Sequence, residues 1–303
     1  MNTPKISIVM IVKNESECLE KCLDSVKEAD SIYIVDTGSE DNTVEIAKKY
    51  TDNVYTDYKW NDNFAEARNY ALSKVTDDNT WVLSIDADEF CHDFSKVRKA
   101  VKEADDKNAL VSEVMLIADK DGQMHKFPRL FKKDSRVWWE GAVHNHINLP
   151  PTHSSEVEIT YGYSPAHLKD PDRALRILTN EVNKNGNARE TYYLGREYWY
   201  RRNYLKCTEI LETYIPKAHF LAEKADAYLL LARCYWAMGL GDKARENCMF
   251  AIIINPNFKE AVLFMSTLVG RGTGNPIFER NGEWWFKVSQ VCDNSNVLFV
   301  REN

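Results

Sequence analysis

Apolar positions in the first half of the chain alternate between two rhythms. Ile6 to Val12 is an apolar run rich in β-branched residues, broken only by Ser7, the pattern of a strand buried on both faces of a parallel sheet. After Ser16 the spacing becomes Cys18, Leu19, Cys22, Leu23 and Val26, which predicts a helix with one apolar stripe. Ser31 to Val35 repeats the strand pattern, and a helix is expected from Asp41 or Asn42 through Ala47. Val54-Tyr55 is a short strand, Phe64 to Leu72 a third helix, and Trp81 to Ile85 a further strand. Strand and helix in such close alternation predict a parallel sheet with right-handed crossovers, covered on both faces. A helix near Phe94 to Val101 leads to a strand over 109–117, a hairpin turn at Asp121-Gly122, and β structure with loops over 127–165.

From Pro171 to about residue 269 the period is helical throughout. Tyr228, Leu231, Ala232, Tyr235, Gly239, Ala244, Ala251 and Pro256 stand at the offsets of a tetratricopeptide unit. Leu194, Gly195, Tyr198, Cys207 and Tyr214 repeat those offsets 37 residues earlier. Two copies alone are marginal, so flanking helices are expected over 171–185 and 258–269. The reading therefore gives an α/β domain over 1–168, an all-α repeat domain over 169–270, and a small segment over 271–303. In that last segment Asn281-Gly282 followed by Glu283 to Phe286 suggests a β hairpin.

Composition changes the picture little. The 303 residues carry a net charge of −7, which counts against a nonspecific nucleic-acid binder. No apolar stretch approaches the length of a membrane span, and no signal peptide is visible, so a cytoplasmic protein is expected. Seven scattered cysteines without a Cys-x-x-Cys pair read as free thiols.

Chemistry enters where the strands end. Open parallel sheets bind ligands beyond the carboxyl ends of their strands. Those ends deliver Lys13-Asn14-Glu15, then Asp36-Thr37-Gly38-Ser39, then Asp86-Ala87-Asp88. Two carboxylates one residue apart at a strand end suit a hard divalent cation, which in turn suits a diphosphate. Each cluster also has a plain structural role open to it: Asp36 as a turn former, Glu15 as a helix starter, Arg68 in a surface ion pair, Trp138 and Trp139 in packing.

The set Ile11 to Glu15, Val35-Asp36-Thr37-Gly38-Ser39-x-Asp41-x-Thr43, Ala67-Arg68-Asn69 and Asp86-Ala87-Asp88 resembles the signature of family 2 glycosyltransferases, which have the nucleotide-sugar-binding GT-A fold. Arg129-Leu130-Phe131 and Glu140-Gly141-x-Val143-His144 resemble a later motif of a subgroup in which tetratricopeptide repeats follow, near the sublancin-type S-glycosyltransferases. The resemblance implies an inverting enzyme that moves a sugar from a UDP-sugar with Mn²⁺ or Mg²⁺. Val12, Asn14, Glu15, Asp36, Arg68, Asp86 and Ala87 line the nucleotide sugar in that reading, with Asp36 accepting from the uracil imide and Arg68 reaching the diphosphate or ribose. Asp88 binds the metal, and His144 is its second ligand or a phosphate donor. Alternation would put His144 and His146 on one strand face. The acceptor's base is assigned to Glu140, with Glu89 as the competitor that instead shapes the loop; Asp88 and Glu140 are thus the catalytic pair. The chain has Asn145 where subgroup members carry glutamate, which leaves the base open, and a thiol acceptor needs a strong base less.

A protein or peptide acceptor is expected, recruited by the repeats, which also leave a homodimer open. Rival readings are a repeat-based binding protein with an inactive GT-A half, a transferase acting on modified nucleic-acid bases or a glycan, and a nucleotidyltransferase. The last normally has a glycine-rich first loop, and Lys13 to Ser16 contains no glycine.

Overall fold

The structure is a computed structural model that describes residues 4–77, 80–162, 164–165, 169–270 and 276–292. Two compact units divide between residues 173 and 174.

In the first unit, strands β1 (Lys5–Val12), β2 (Ser31–Asp36), β3 (Val54–Tyr55) and β4 (Thr80–Ser84) are parallel, with β1 between β2 and β4. Helices α1 (Leu19–Val26), α2 (Thr43–Ala47) and α3 (Phe64–Ser73) make the crossovers. Both faces of β1, β2 and β4 are largely buried, which explains their mainly apolar sequences. Ile6, Ile8, Met10 and Val12 pack with α1 on one side, while Val9, Tyr33, Val35 and Val82 pack with Ala65 and Ala71 of α3 on the other.

Beyond β4 the same sheet continues with mixed direction, of which only the hairpin at Asp121-Gly122 is legible in the patterning. β5 (Glu89–Cys91), β6 (Val111–Ala118), β7 (Met124–Lys132) and β10 (His153–Tyr161) complete an eight-stranded order β3-β2-β1-β4-β7-β6-β10-β5. β7 runs antiparallel to β4 and β6, joined to β6 through the expected turn at Gly122, whose φ is +67°. Helix α4 (Phe94–Asp106) covers one face with Phe94, Val97 and Val101. A two-stranded ribbon, β8 (Trp139–Glu140) with β9 (His146–Ile147), lies apart from the main sheet.

The second unit is helical among its described residues. Helices α5 (Arg173–Asn185), α6 (Ala188–Tyr200), α7 (Tyr204–Tyr214), α8 (Leu221–Ala237), α9 (Gly241–Ile254), α10 (Lys259–Leu268) and α11 (Pro276–Ser289) follow one another. The packed pairs α6–α7 and α8–α9 match the two repeat copies read from the sequence, with small residues where the helices are closest, and α10 with α11 adds a third packed pair. A methyl at Gly195 of α6 would stand 2.4 Å from Leu211 of α7. Ala232, Ala244 and Cys248 are fully buried between α8 and α9.

One expectation is corrected. Residues 281–286 form no hairpin but the middle of α11. Gly282 and Ser289 are buried, and Trp285 packs on the repeat core, so the inward positions follow helical period and not strand alternation. Asn-Gly is a turn signal only where its flanks alternate.

Candidate active site

Register places the polar strand ends side by side. Val12 of β1 stands level with Asp36 of β2, and the amide of Ile85, just past β4, donates to the carbonyl of Val9. The loops after β1, β2 and β4 therefore open on one edge of the sheet, as the strand-end argument required.

The first two loops are laced together. Asn14 has a left-handed φ of +57°, its amide donates to Ser39 Oγ, and its side-chain oxygen accepts from the Glu40 amide. The Glu15 amide donates to Thr43 Oγ1, and the Ser16 amide to Asp41. Asp36 is buried, and its carboxylate accepts the amides of Gly38 and Ser39 at 3.0 Å each. That is the turn-forming role weighed for it. A carboxylate has about four acceptor sites, so capacity for a further donor is left. Val12 and Ala87 are buried, and the carbonyl of Val12 accepts from both the amide and the hydroxyl of Thr37.

Four charged side chains meet at the end of β4. Arg68, from α3, donates to Asp86 at 2.7 Å and stacks at 5.1 Å on the Trp139 ring. Arg129, from β7, donates through one nitrogen to Asp86 at 3.2 Å and to Glu89 at 2.8 Å. Burial disfavours the charge on Asp86, but the two guanidiniums outweigh it and hold its carboxyl well below the usual range. Glu89 is 4 % exposed, and burial pushes it up to about 7 against the pull of Arg129. Its second oxygen accepts the Asp86 amide at 2.8 Å, while the Glu89 amide donates to the Asp86 carbonyl. Glu89 is thus the loop shaper of the two readings given for it.

Asp88 leaves this turn on the other side. Its carboxylate accepts the Ser164 amide at 3.2 Å, and its carbonyl accepts the Gly162 amide. Arg68 was expected at a diphosphate or ribose; its guanidinium is committed to Asp86 and Ser84 beneath Trp139.

The ribbon carries the remaining predicted residues. Exposure alternates along Trp138, Trp139 and Glu140, so Trp139 faces Arg68 while Glu140 points outward. Glu140 accepts from the Trp138 indole at 3.0 Å and stands 3.9 Å from His146. The structure does not bring it into the carboxylate–guanidinium cluster. His144 is exposed, with φ +53°, in the turn before β9. Strand alternation therefore does not link it to His146, which corrects that expectation: the turn, not a strand, sets its direction.

Among the described residues no group of three or more His, Cys, Asp or Glu side chains forms a metal cage. Magnesium at nucleotide sites is usually held by one or two carboxylates plus substrate phosphates. Asp88 offers one such carboxylate, partly exposed past the end of β4 and held by the amide of Ser164.

Two functional positions escaped the sequence reading. The motif resemblance gives Arg129 no role, although a charge between buried strand neighbours demands a buried partner. Asn69 was likewise only a motif letter. Its amide side chain donates to the Trp139 carbonyl at 2.9 Å and accepts the Trp139 amide at 2.8 Å, clasping the ribbon to α3.

Residues 7–149, which contain this whole edge, match the family model described as Glycosyl transferase family 2. The N-terminal domain belongs to that family. The chain is similar to the SPbeta prophage-derived glycosyltransferase SunS of Bacillus subtilis, 31% identical over 65% of this chain and 50% of SunS. It is also 33% identical to a TPR repeat-containing protein of Synechococcus elongatus, over 48% of this chain and 36% of that protein. The chain thus spans half or less of the length of these curated relatives. Among solved structures, S. aureus TarS 1–349 overlaps 94% of this chain and 90% of its own, with 12% identity and a TM-score of 0.43. No helix among the described residues is long and apolar enough to cross a membrane.

Proposed function

We propose that the protein is an inverting glycosyltransferase that takes its sugar from a UDP-sugar with the help of Mn²⁺ or Mg²⁺. The observation that carries the proposal is the division of labour between two neighbouring carboxylates. Asp86 is neutralised by Arg68 and Arg129, whereas Asp88 is presented at the strand edge on backbone hydrogen bonds. Such a pair suits one residue that organises the turn and a second, two positions on, that serves as the ion's carboxylate ligand.

Asp88 and His144 would hold the ion. When bound, the ion neutralises the diphosphate as it departs. Asp36, Asn14 and Glu15 form a braced rim on which a pyrimidine and ribose rest, and Asp36 keeps acceptor capacity for an imide hydrogen. Arg68, capped by Trp139, holds Asp86 still and leaves the pocket walls pre-organised. Glu140 meets an acceptor only from the outer side of the ribbon, and a thiol or another readily ionised acceptor needs least from it. A protein or peptide acceptor, recruited by the helical repeats, completes the reading.

Calorimetric titration with UDP, with and without Mn²⁺, tests this. Metal-dependent binding that disappears in Asp88→Ala is the expected result. Equal binding with and without metal, or unchanged binding in Asp88→Ala, removes the metal assignment. Incubation with a panel of UDP-sugars, read as released UDP, then identifies the donor through its slow hydrolysis.

A further inference from the structure

Arg129 and Glu89 make contacts that a merely structural ion pair does not need. A single guanidinium nitrogen of Arg129 serves Asp86 and Glu89 together. Glu89 uses its other oxygen on the Asp86 amide, and its own amide on the Asp86 carbonyl, so residues 86–89 are closed into a turn from both ends. Asp88 lies inside that turn. Its direction is then fixed on the far side by the amides of Gly162 and Ser164. Arg129 sits on β7 and Glu89 opens β5, so the two anchors of the turn come from separate strands of the sheet.

We infer that Arg129 and Glu89 are positioning residues for the reaction: through Asp86 and the 86–89 turn they set where Asp88 offers its carboxylate to the nucleotide's counter-ion. This rests on the reading given under Proposed function. Neither residue is asked to touch the substrate. Groups that orient a ligand from behind typically govern metal affinity by about 10–100-fold.

Lysine at 129 keeps a positive charge within reach of both carboxylates, whereas methionine keeps the bulk and loses the charge. Arg129→Met is expected to weaken UDP binding in Mn²⁺ by about tenfold or more, with Arg129→Lys recovering most of the loss. In the metal-free protein, hydrogen exchange at the Asp86 and Ser164 amides should quicken in Arg129→Met while the amides of α4 stay protected. A purely structural pair would lower the melting temperature and leave the affinity of the folded protein unchanged. If Arg129→Met fails to fold, Glu89→Leu combined with Arg129→Met removes both interior charges and carries the same expectation. Wild-type affinity for UDP and Mn²⁺ in the folded variant overturns the positioning role alone. Absence of UDP binding by the wild-type protein overturns the donor reading, and this inference with it.

Discussion

Arg68 and Asp86 are joined at 2.7 Å, with the arginine side chain 9% exposed and roofed by the Trp139 ring. The pair links a crossover helix to the end of a central strand. Breaking a buried pair outright costs about 3–5 kcal/mol, and because Arg129 still compensates Asp86 here the loss should be about 3 kcal/mol or less. Arg68→Ala should therefore lower stability by that order in urea unfolding. Arg68→Lys should lose part of it, because an ammonium can neither stack on Trp139 nor span Ser84 and Asp86 as the planar fork does.

Asn69 offers a cleaner test of the ribbon's attachment. Asn69→Ala deletes both bonds to Trp139 and should cost about 1–3 kcal/mol. Asn69→Asp should cost more, since an acceptor then faces the Trp139 carbonyl that Nδ2 now serves. Thermal unfolding followed by tryptophan fluorescence ranks the two.

The repeat unit responds to volume at its closest helix crossing. Gly195→Ala places a methyl 2.4 Å from Leu211, a fully buried side chain. Overpacking of about 1–3 kcal/mol should outweigh the helix-propensity gain of about 1 kcal/mol from losing glycine. Combining it with Leu211→Ala should return less than the sum of the two separate losses, which a double-mutant cycle in denaturant would measure.

Asp226 gives the helical unit a pH dependence. It is fully buried, and burial pushes its carboxyl up to about 7 despite Arg196 and the hydrogen bond from Tyr192 at 2.5 Å. A raised carboxyl binds its proton more tightly in the folded state than in the unfolded one. Its stabilising contribution is complete below about pH 4 and is lost as pH rises toward about 7. Asp226→Asn should flatten stability between about pH 4 and pH 7, and the variant should be the more stable protein at the upper end. A wild-type profile with no fall across that window would reject the assignment.

Much of this molecule was legible in its sequence where period and position carry the signal. The runs 6–12, 31–35 and 81–85 became adjacent strands because residues buried on both faces have no polar alternation to read otherwise. The polar tails of those runs met at one edge because parallel strands must end on the same side. The rest depended on contacts far apart in the chain. Nothing local told that Arg129 would fall between Asp86 and Glu89, 43 and 40 residues away. Nor did spacing reveal that Trp139 would turn inward and Glu140 outward, since a two-residue strand is too short to show alternation. Residues 281–286 failed for the opposite reason: a strong local turn signal was overridden by the packing of Trp285 against the neighbouring helices.

The amide of Phe64, at the start of α3, donates to the carbonyl of Ala142 in the ribbon's turn, while Asn69 clasps Trp139 further along the same helix. These two attachment points lie nearly a helical turn and a half apart, so the ribbon is fastened to α3 along its length and not at a single spot. A load on either segment is therefore shared by the other, and the ribbon's turn and α3 should loosen together rather than one at a time.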